Sequence, residues 1–329
     1  MTTSSVKIGT RGSKLALSQT GQIVDQLSAV GGFDADIIAI KTDGDVLTGP
    51  LSQMGGTGVF AAELRAAVLD GRVDVAVHSL KDLPTVAVQG LALGAIPFRA
   101  DARDALCARN GLTLSELPQG ASVGTGSPRR AAQLLAARPD LLIVDIRGNV
   151  ETRLGRVPGL PGNPVKETVP GKVGDLDAVV LAAAGLGRIG RLEAVTEFLS
   201  SEVMLPAPGQ GALALECRTE STELTGVLGQ SLAAVDDHDT RLAVTAERAL
   251  LARLEAGCAA PVGALARRKG SMLHLETVVV SLDGTRSLRL KKATDGLTTV
   301  GATLLGIGLA EELLAAGAAE LADLAGSSK

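Results

Sequence analysis

Apolar positions along this chain keep two rhythms, alternation and a three-and-four spacing, and the two follow each other in short blocks. Residues 6–8 form a short strand and residues 9–13 (Gly-Thr-Arg-Gly-Ser) a tight turn. Residues 14–27 follow as a helix, with Leu15, Leu17, Ile23 and Leu27 at helical spacing. Residues 37–40 make a second strand and residues 60–69 a second helix. Val73, Val75 and Val77 then mark a buried strand. Pro84 prevents its continuation, so His78, Ser79, Lys81 and Asp82 fall at or just past its carboxyl end. That edge is where open α/β sheets bind ligands. A solvated turn with a Lys81/Asp82 surface pair accounts for the same residues, and the segment alone does not choose.

The pattern then returns in weaker form. A strand at 91–96 leads into a change of composition at 97–103, read as a crossover. Residues 123–130 (Val-Gly-Thr-Gly-Ser-Pro-Arg-Arg) repeat the strand, Gly-Thr turn and helix start, with Ser127 as N-cap and Pro128 at the first helical position. A strand at 141–146 runs into Arg147-Gly148-Asn149. Another at 176–184 carries Asp177-Ala178-Val179-Val180, an echo of Asp74-Val75-Ala76-Val77, with Arg188 beyond a glycine-containing close. Residues 206–211 look like a second crossover that returns a strand, 212–217, to the first lobe. The last third has a helix capped by Asp239 or Thr240 and ended by Gly257. A two-residue hairpin turn at Asp283-Gly284 joins strands 272–281 and 285–290, and Leu305, Leu309 and Leu313 mark a final helix.

These blocks imply an α/β fold class: two similar lobes across a cleft, plus a small C-terminal α+β domain. The implied boundaries are 1–98 with 203–220 for the first lobe, 99–202 for the second, and 221–329 for the third unit. Two stretches break the rhythm. Residues 42–58 are glycine-rich and aperiodic, as in a mobile flap. Residues 157–174 hold several Gly and Pro and read as an irregular surface excursion.

Composition narrows the function. A formal net charge of -4 and four Phe with no Trp or Tyr argue against nucleic-acid binding. Three dispersed cysteines make a disulfide framework improbable and place the chain in a reducing compartment. The start shows no apolar signal region. The longest uncharged apolar stretch, 297–310, falls short of the roughly 20 residues of a membrane span. A cytoplasmic protein is expected.

Against that acidic background, Arg11, Lys81, Arg129, Arg130, Arg147, Arg153 and Arg188 all follow strands or open a helix. Guanidinium groups present a planar fork to carboxylates and phosphates. Arg129 and Arg130 sit in a first helical turn, where the macrodipole disfavours cations, unless something negative lies between them. A ligand with several carboxylates or phosphates is implied. No Walker or dinucleotide fingerprint is present, and the histidines and cysteines lack metal-ligand spacing, so no metal is expected. His78 is more often a packed, hydrogen-bonded histidine than a base. Asp82, beside Lys81, is the one acid singled out as catalytic. Cys258 lies past a helix C-terminus, which raises a thiol pKa. An inert core cysteine and a covalent attachment point both remain open.

Five motifs, in order, resemble the hydroxymethylbilane synthase (porphobilinogen deaminase) family. They are Val77-His78-Ser79-Leu80-Lys81-Asp82-Leu83-Pro84, Gly124-Thr125-Gly126-Ser127-Pro128-Arg129-Arg130, Arg147-Gly148-Asn149-Val150 with Thr152-Arg153, Leu205-Pro206-Ala207-Pro208-Gly209-Gln210-Gly211, and Glu255-Ala256-Gly257-Cys258. The resemblance implies two lobes like periplasmic binding proteins, with mixed sheets, plus the third domain. It implies a dipyrromethane cofactor on Cys258 through a thioether. It further implies head-to-tail condensation of four porphobilinogen molecules with loss of ammonia, then hydrolytic release of linear hydroxymethylbilane for tetrapyrrole and heme biosynthesis. Asp82 would be the catalytic acid. Lys81, Ser79, Ser13, Thr125, Ser127, Arg129, Arg130, Gly148 and Arg188 would hold the cofactor; Arg11, Arg147, Arg153 and Gln210 would bind substrate. A monomer is expected from the family.

Three positions depart from the family pattern. Thr57 stands where many relatives carry Lys, Gly126 replaces a common Ser, and 157–174 is longer than usual. The competing reading is a non-enzymatic two-lobed module that binds a small anion reversibly.

Overall fold

The computed structural model describes residues 5–41, 61–162, 174–256, 260–322 and 324. The flap expected at 42–58, most of the 157–174 excursion, Thr57 and Cys258 lie outside them.

In the first lobe, β1 (Val6–Arg11), β2 (Ala35–Ile40) and β3 (Val75–Ser79) run parallel, with α1 (Lys14–Gly31) after β1 and α2 (Ala62–Leu69) before β3. β4 (Leu91–Ala95) follows, and the chain crosses over at 97–103. The second lobe holds β5 (Asp104–Ala108), β6 (Ser122–Gly124), α3 (Pro128–Ala137), β7 (Leu142–Val144), α4 (Val150–Leu154), β8 (Ala178–Ala182), α5 (Ala183–Arg188) and β9 (Glu197–Phe198). β10 (Leu213–Arg218) then returns to the first sheet. The strand orders are β2-β1-β3-β10-β4 and β7-β6-β8-β5-β9. In each sheet four strands run one way, and the one antiparallel strand, fourth in the order, arrives directly from a crossover.

The two Asp echoes do the same work in both lobes. Asp74 accepts from the Lys7 amide at 2.9 Å and pairs with Arg218 at 3.0 Å. Asp177 accepts from the Ser122 amide at 2.7 Å and pairs with Arg109 at 2.5 Å. In each case a carboxylate just before a central strand ties that strand to its parallel neighbour and to an arginine at the end of the antiparallel one. The pattern of residues thus carried a real duplication of plan.

Several elements differ from the periodicity. β1 continues through Arg11, leaving only Gly12-Ser13 as the turn. β8 stops at Ala182, and Ala183–Arg188 is a short helix rather than a glycine close. α4, β5, β9 and α6 (Val227–Val235) carried no clear alternation: they are short, alanine-rich or open on a charge, and tertiary burial decides them. α6 packs Leu232 against Ile23 and Leu27 of the first lobe. α7 (His238–Arg253) is capped by Asp237, whose carboxylate accepts from the Thr240 amide at 2.8 Å, not by Asp239 or Thr240.

The last domain packs α7 and α8 (Thr299–Ala315) on an antiparallel sheet of β11 (Val262–Lys269), β12 (Met272–Val280) and β13 (Ser287–Thr294). Leu242, Leu250, Leu273, Leu275, Leu305 and Leu309 form its core. The hairpin at Asp283-Gly284 is longer than the two-residue turn expected: β12 ends at Val280 and β13 begins at Ser287, with a Ser281 amide to Arg286 carbonyl bond of 2.9 Å closing the loop.

One buried carboxylate fastens this domain to both crossovers. Glu247 of α7 is fully buried and accepts from both terminal nitrogens of Arg99 at 2.6 and 3.0 Å, from the Gly209 amide at 2.7 Å and from the Ala266 amide at 2.8 Å. Arg99 also donates to the Gln210 carbonyl at 2.7 Å. Glu247→Gln should strip the charge that offsets Arg99 and lower stability by about 3–5 kcal/mol. Urea unfolding would check this; a midpoint equal to that of the parent would mean Arg99 is adequately solvated without its partner.

Candidate active site

β3 is buried through Val75, Ala76 and Val77, so its polar residues can only gather at its carboxyl end. There the chain tightens into a single 3-10 turn, Leu80–Asp82. Leu80 and Leu83 are buried with Ala61, Ile96, Ala212 and Val244, and the Leu80 amide bonds the Ala212 carbonyl at 3.0 Å. The apolar flanks hold the turn down while Asp82 stays exposed. Arg11, Ser13, Gln19, Ser79 and Asp82 line one small hollow beside it. Ser13 caps α1 by accepting from the Ala16 amide at 3.2 Å, and Ser79 donates to Gln19 at 3.3 Å. His78 is the packed histidine: its Nε2 lies 3.2 Å from buried Glu216, which Arg65 also binds.

The second lobe contributes its residues from the ends of β6 and β7. Thr125 is buried, its hydroxyl accepting from the Ser127 amide at 3.2 Å. Ser127 is the N-cap of α3, with Pro128 behind it, as the spacing predicts. Gly148 sits at φ +100°, where a side chain is disfavoured, and a Cβ there would meet Thr152 at 2.9 Å. Its carbonyl accepts from Arg153 Nε at 2.8 Å, while Asn149 caps α4. Arg147 lies 3.6 Å from Asp145. A Cβ at Gly126 would meet the Ile146 carbonyl at 2.6 Å, so this backbone has no room for the serine that the family pattern favours.

Several of the expected side chains bind partners within the chain. The negative group between Arg129 and Arg130 belongs to the chain: fully buried Asp104 pairs with each at 2.8 Å. Arg129 donates further to the Leu205 carbonyl and Arg130 to the Val180 carbonyl. Gln210, expected on substrate, is fully buried; its amide donates to Asp104 at 2.9 Å and to the Ala102 carbonyl at 2.8 Å, and accepts from Lys81 at 3.5 Å. Arg188 is not among the described residues that line the hollow beside Asp82. It donates to the Gly211 carbonyl at 2.7 Å and lines a second hollow of about 420 Å³ with Phe98, Asp101 and Phe198. Asp104 was missed because nothing in the sequence marks it except a lone charge opening an apolar run.

Charges from the two lobes nevertheless converge. Burial pulls the Lys81 ammonium down to about 8, with Arg130 and Arg129 of the other lobe pushing the same way against Asp82 and Asp104. Arg153 is lowered by burial and by Arg130 and Arg147, while Asp145 and first-lobe Asp82 oppose. Asp104 is held well below the usual carboxylate range: burial would raise it, but Arg129, Arg130 and Gln210 outweigh that. The cations in this group outnumber its carboxylates, so it can take up further anionic groups. Across the mouth, Lys14 of α1 meets Glu151 of α4 at 3.2 Å, and Ser18 donates to the Arg188 carbonyl at 2.6 Å. Among the described residues no cluster of His, Cys, Asp and Glu could hold a metal ion.

Because a lysine lowered to about 8 releases its proton sooner in the folded protein than in the unfolded chain, its charge costs stability below that pH. Raising pH from about 7 to about 10 should therefore shift the unfolding free energy in favour of the parent relative to Lys81→Met, both measured without bound adduct. A gap that stays constant with pH would show a well-solvated ammonium.

Comparison with known proteins adds the following. A family model described as "Porphobilinogen deaminase, dipyromethane cofactor binding domain" matches residues 6–226, and "Porphobilinogen deaminase, C-terminal domain" matches residues 241–315. The chain is 56% identical over 335 residues to a porphobilinogen deaminase of Cutibacterium acnes, covering 98% of both chains. It is 55% identical over 304 residues to one of Micrococcus luteus, covering 87% of this chain and 81% of that one. Among solved structures, an ABC-transporter periplasmic substrate-binding protein from Coxiella burnetii overlays 70% of this chain and 91% of its own at 15% identity and TM-score 0.42.

Proposed function

The chain belongs to the porphobilinogen deaminase family, and from that premise we propose that Asp82 drives the chemistry of a hydroxymethylbilane synthase at the converged cleft. The family's reaction is transfer: four porphobilinogen molecules join head to tail with loss of ammonia, and water releases the linear product. A covalent dipyrromethane is the cofactor of this family's N-terminal domain. The competing reading, a non-enzymatic anion-binding module, does not fit a chain whose close relatives are deaminases over their full length.

The observation that supports the residue assignment is the run of contacts from Lys81, beside Asp82, through Gln210 and Asp104 to Arg129 and Arg130, which gathers cations of both lobes. A pyrrole bearing acetate and propionate groups supplies the missing negative charge, so the residues present fit such a cofactor. When bound, the dipyrromethane offers a nucleophilic pyrrole carbon to which substrate adds. Lys81, Arg130 and the hydroxyls of Ser13, Ser79, Thr125 and Ser127 would bind its carboxylates, and Gly148 its edge. Arg129 would act through Asp104, keeping Arg130 in place. Arg11, Arg147 and Arg153 would take substrate carboxylates as fixed forks. Arg188, in its separate hollow, would meet only a chain long enough to reach it.

Asp82 would transfer a proton to the departing amine and then, as carboxylate, face the cationic pyrrole left on the substrate. Its exposure on a turn fixed by buried leucines lets it reach the ring without itself being shielded. The tether would be Cys258. Cys107 and Cys217 are buried in the sheets, and burial pushes their thiols up to about 12 and about 11, which suits neither for attachment.

The domain division proposed is two lobes plus a third unit beginning after α6. We also take the protein to work as a cytoplasmic monomer on a small molecule, without nucleic acid or membrane. The net charge of -4 supports this, and no described helix is long and apolar enough to cross a membrane.

Intact mass of the purified protein should exceed the polypeptide mass by two linked pyrroles, and Cys258→Ser should lose that excess. A bare polypeptide mass from fully active material would overturn the attachment. Asp82→Asn, prepared with the adduct in place, should keep the mass and lose about a hundredfold or more in turnover. Near-normal turnover would remove Asp82 from the chemistry.

A further inference from the structure

Among the side chains by which the third domain reaches the turn bearing Asp82 is one that the sequence did not single out. Arg248 lies on α7, beside Glu247. Its two terminal nitrogens donate to consecutive carbonyls, Leu83 at 2.8 Å and Pro84 at 2.7 Å, directly after Asp82. Arginines this deep normally face a carboxylate. The near one is Glu216, but Arg65 engages both its oxygens at 3.1 Å and His78 lies 3.2 Å away. Among the described residues no carboxylate hydrogen-bonds Arg248. Arg65 repels it and Glu216 attracts it from behind, and with burial dominant its pKa falls to about 10. The guanidinium is therefore committed to main-chain oxygen.

We propose that Arg248 is a positioning residue for Asp82: it clamps the two peptides following the turn, so that the carboxylate keeps one aim while the pyrrole chain lengthens. This rests on the assignment of Asp82 made above. The clamp acts where the turn is otherwise weakest. Leu80 and Leu83 are anchored by apolar packing that includes Val244, one helical turn before Arg248 on the same helix. Beyond Leu83 the strand has ended, and Pro84 has no amide to donate. The two Arg248 bonds hold that exit. The helix also leads, after Leu254 and Ala256, into the segment bearing Cys258. One rigid element thus holds the turn that carries the acid and runs on toward the tether. A single carboxylate that must serve four successive additions needs such a fixed reference, because misplacement by about 1 Å can cost about a hundredfold.

The test uses full-length, adduct-bearing protein. Arg248→Met should keep the adduct mass and leave the substrate concentration for half-maximal rate within about twofold. The rate of the first addition, measured in a single turnover, should fall about tenfold to a hundredfold. Arg248→Lys, which can reach one carbonyl, should fall between the two, and added methylguanidinium should restore part of the rate to Arg248→Ala. Parent-like single-turnover rates in Arg248→Met would overturn the clamp, as would a rate loss matched by the loss of folded, adduct-bearing protein with no rescue. If Arg248→Met does not fold, the lysine variant decides: a parent rate there overturns the proposal. Asp82→Asn run alongside separates the two readings. If it is active, the role of Asp82 fails; if it is inactive while Arg248→Met is normal, only the clamp fails.

Discussion

Positive charge cannot be gathered in a partly buried cleft unless some of it is offset from within, and in this protein Asp104 provides that offset. Fully buried, it binds Arg129 and Arg130 and is reached by Gln210, which in turn accepts from Lys81 of the opposite lobe. Without it two adjacent guanidinium groups at a helix N-terminus would repel each other and the helix dipole. With it, the remaining positive charge can be aimed at a ligand. The cleft is therefore cationic by a margin set inside the protein.

The same solution recurs at the other joints. Glu247 gathers Arg99, the Gly209 amide and the Ala266 amide, where both crossovers meet the third domain. Within the first lobe, Glu216 gathers Arg65 and His78 next to the turn that bears Asp82. Each buried acid accepts from several donors, which is the condition under which burying a charge is tolerated. Each also joins segments far apart in the chain. Of these, Glu247 ties the third unit to both crossovers, while Asp104 and Glu216 join segments chiefly within one lobe; apolar packing also crosses between units, as where Val244 meets Leu80 and Leu83.

The two lobes share a plan that explains how the site is divided. In both sheets the central parallel strands end at the cleft, and an antiparallel strand arrives from a crossover. The first lobe offers a carboxylate and a lysine on a tight turn; the second offers arginines at helix starts. Duplication of plan with divergence of edge residues produces an acid facing a field of cations, which suits a reaction that develops positive charge on a polyanionic substrate.

Local physics was legible from the residues alone. The β-branched run before His78, Ser127 with Pro128 and the paired Asp echoes each depend on neighbours within a few positions, and the structure keeps them. Several of the family motifs fall just past strand ends, where polar residues can gather. Tertiary structure alone decided which polar groups face the cleft and which face each other. Asp104 meets Arg129 and Arg130 only because β5 pairs antiparallel with β8, so its charge could not be assigned from sequence. Gln210 and Arg188 turned inward or aside for the same reason: their partners are carbonyls and carboxylates brought up by the crossovers. Among neighbouring acids Asp237, not Asp239, caps α7, a choice made where Asp236 and Asp237 clamp Ile96. Periodicity records what a segment buries; a charged side chain's partner is fixed by distances that only the assembled fold creates.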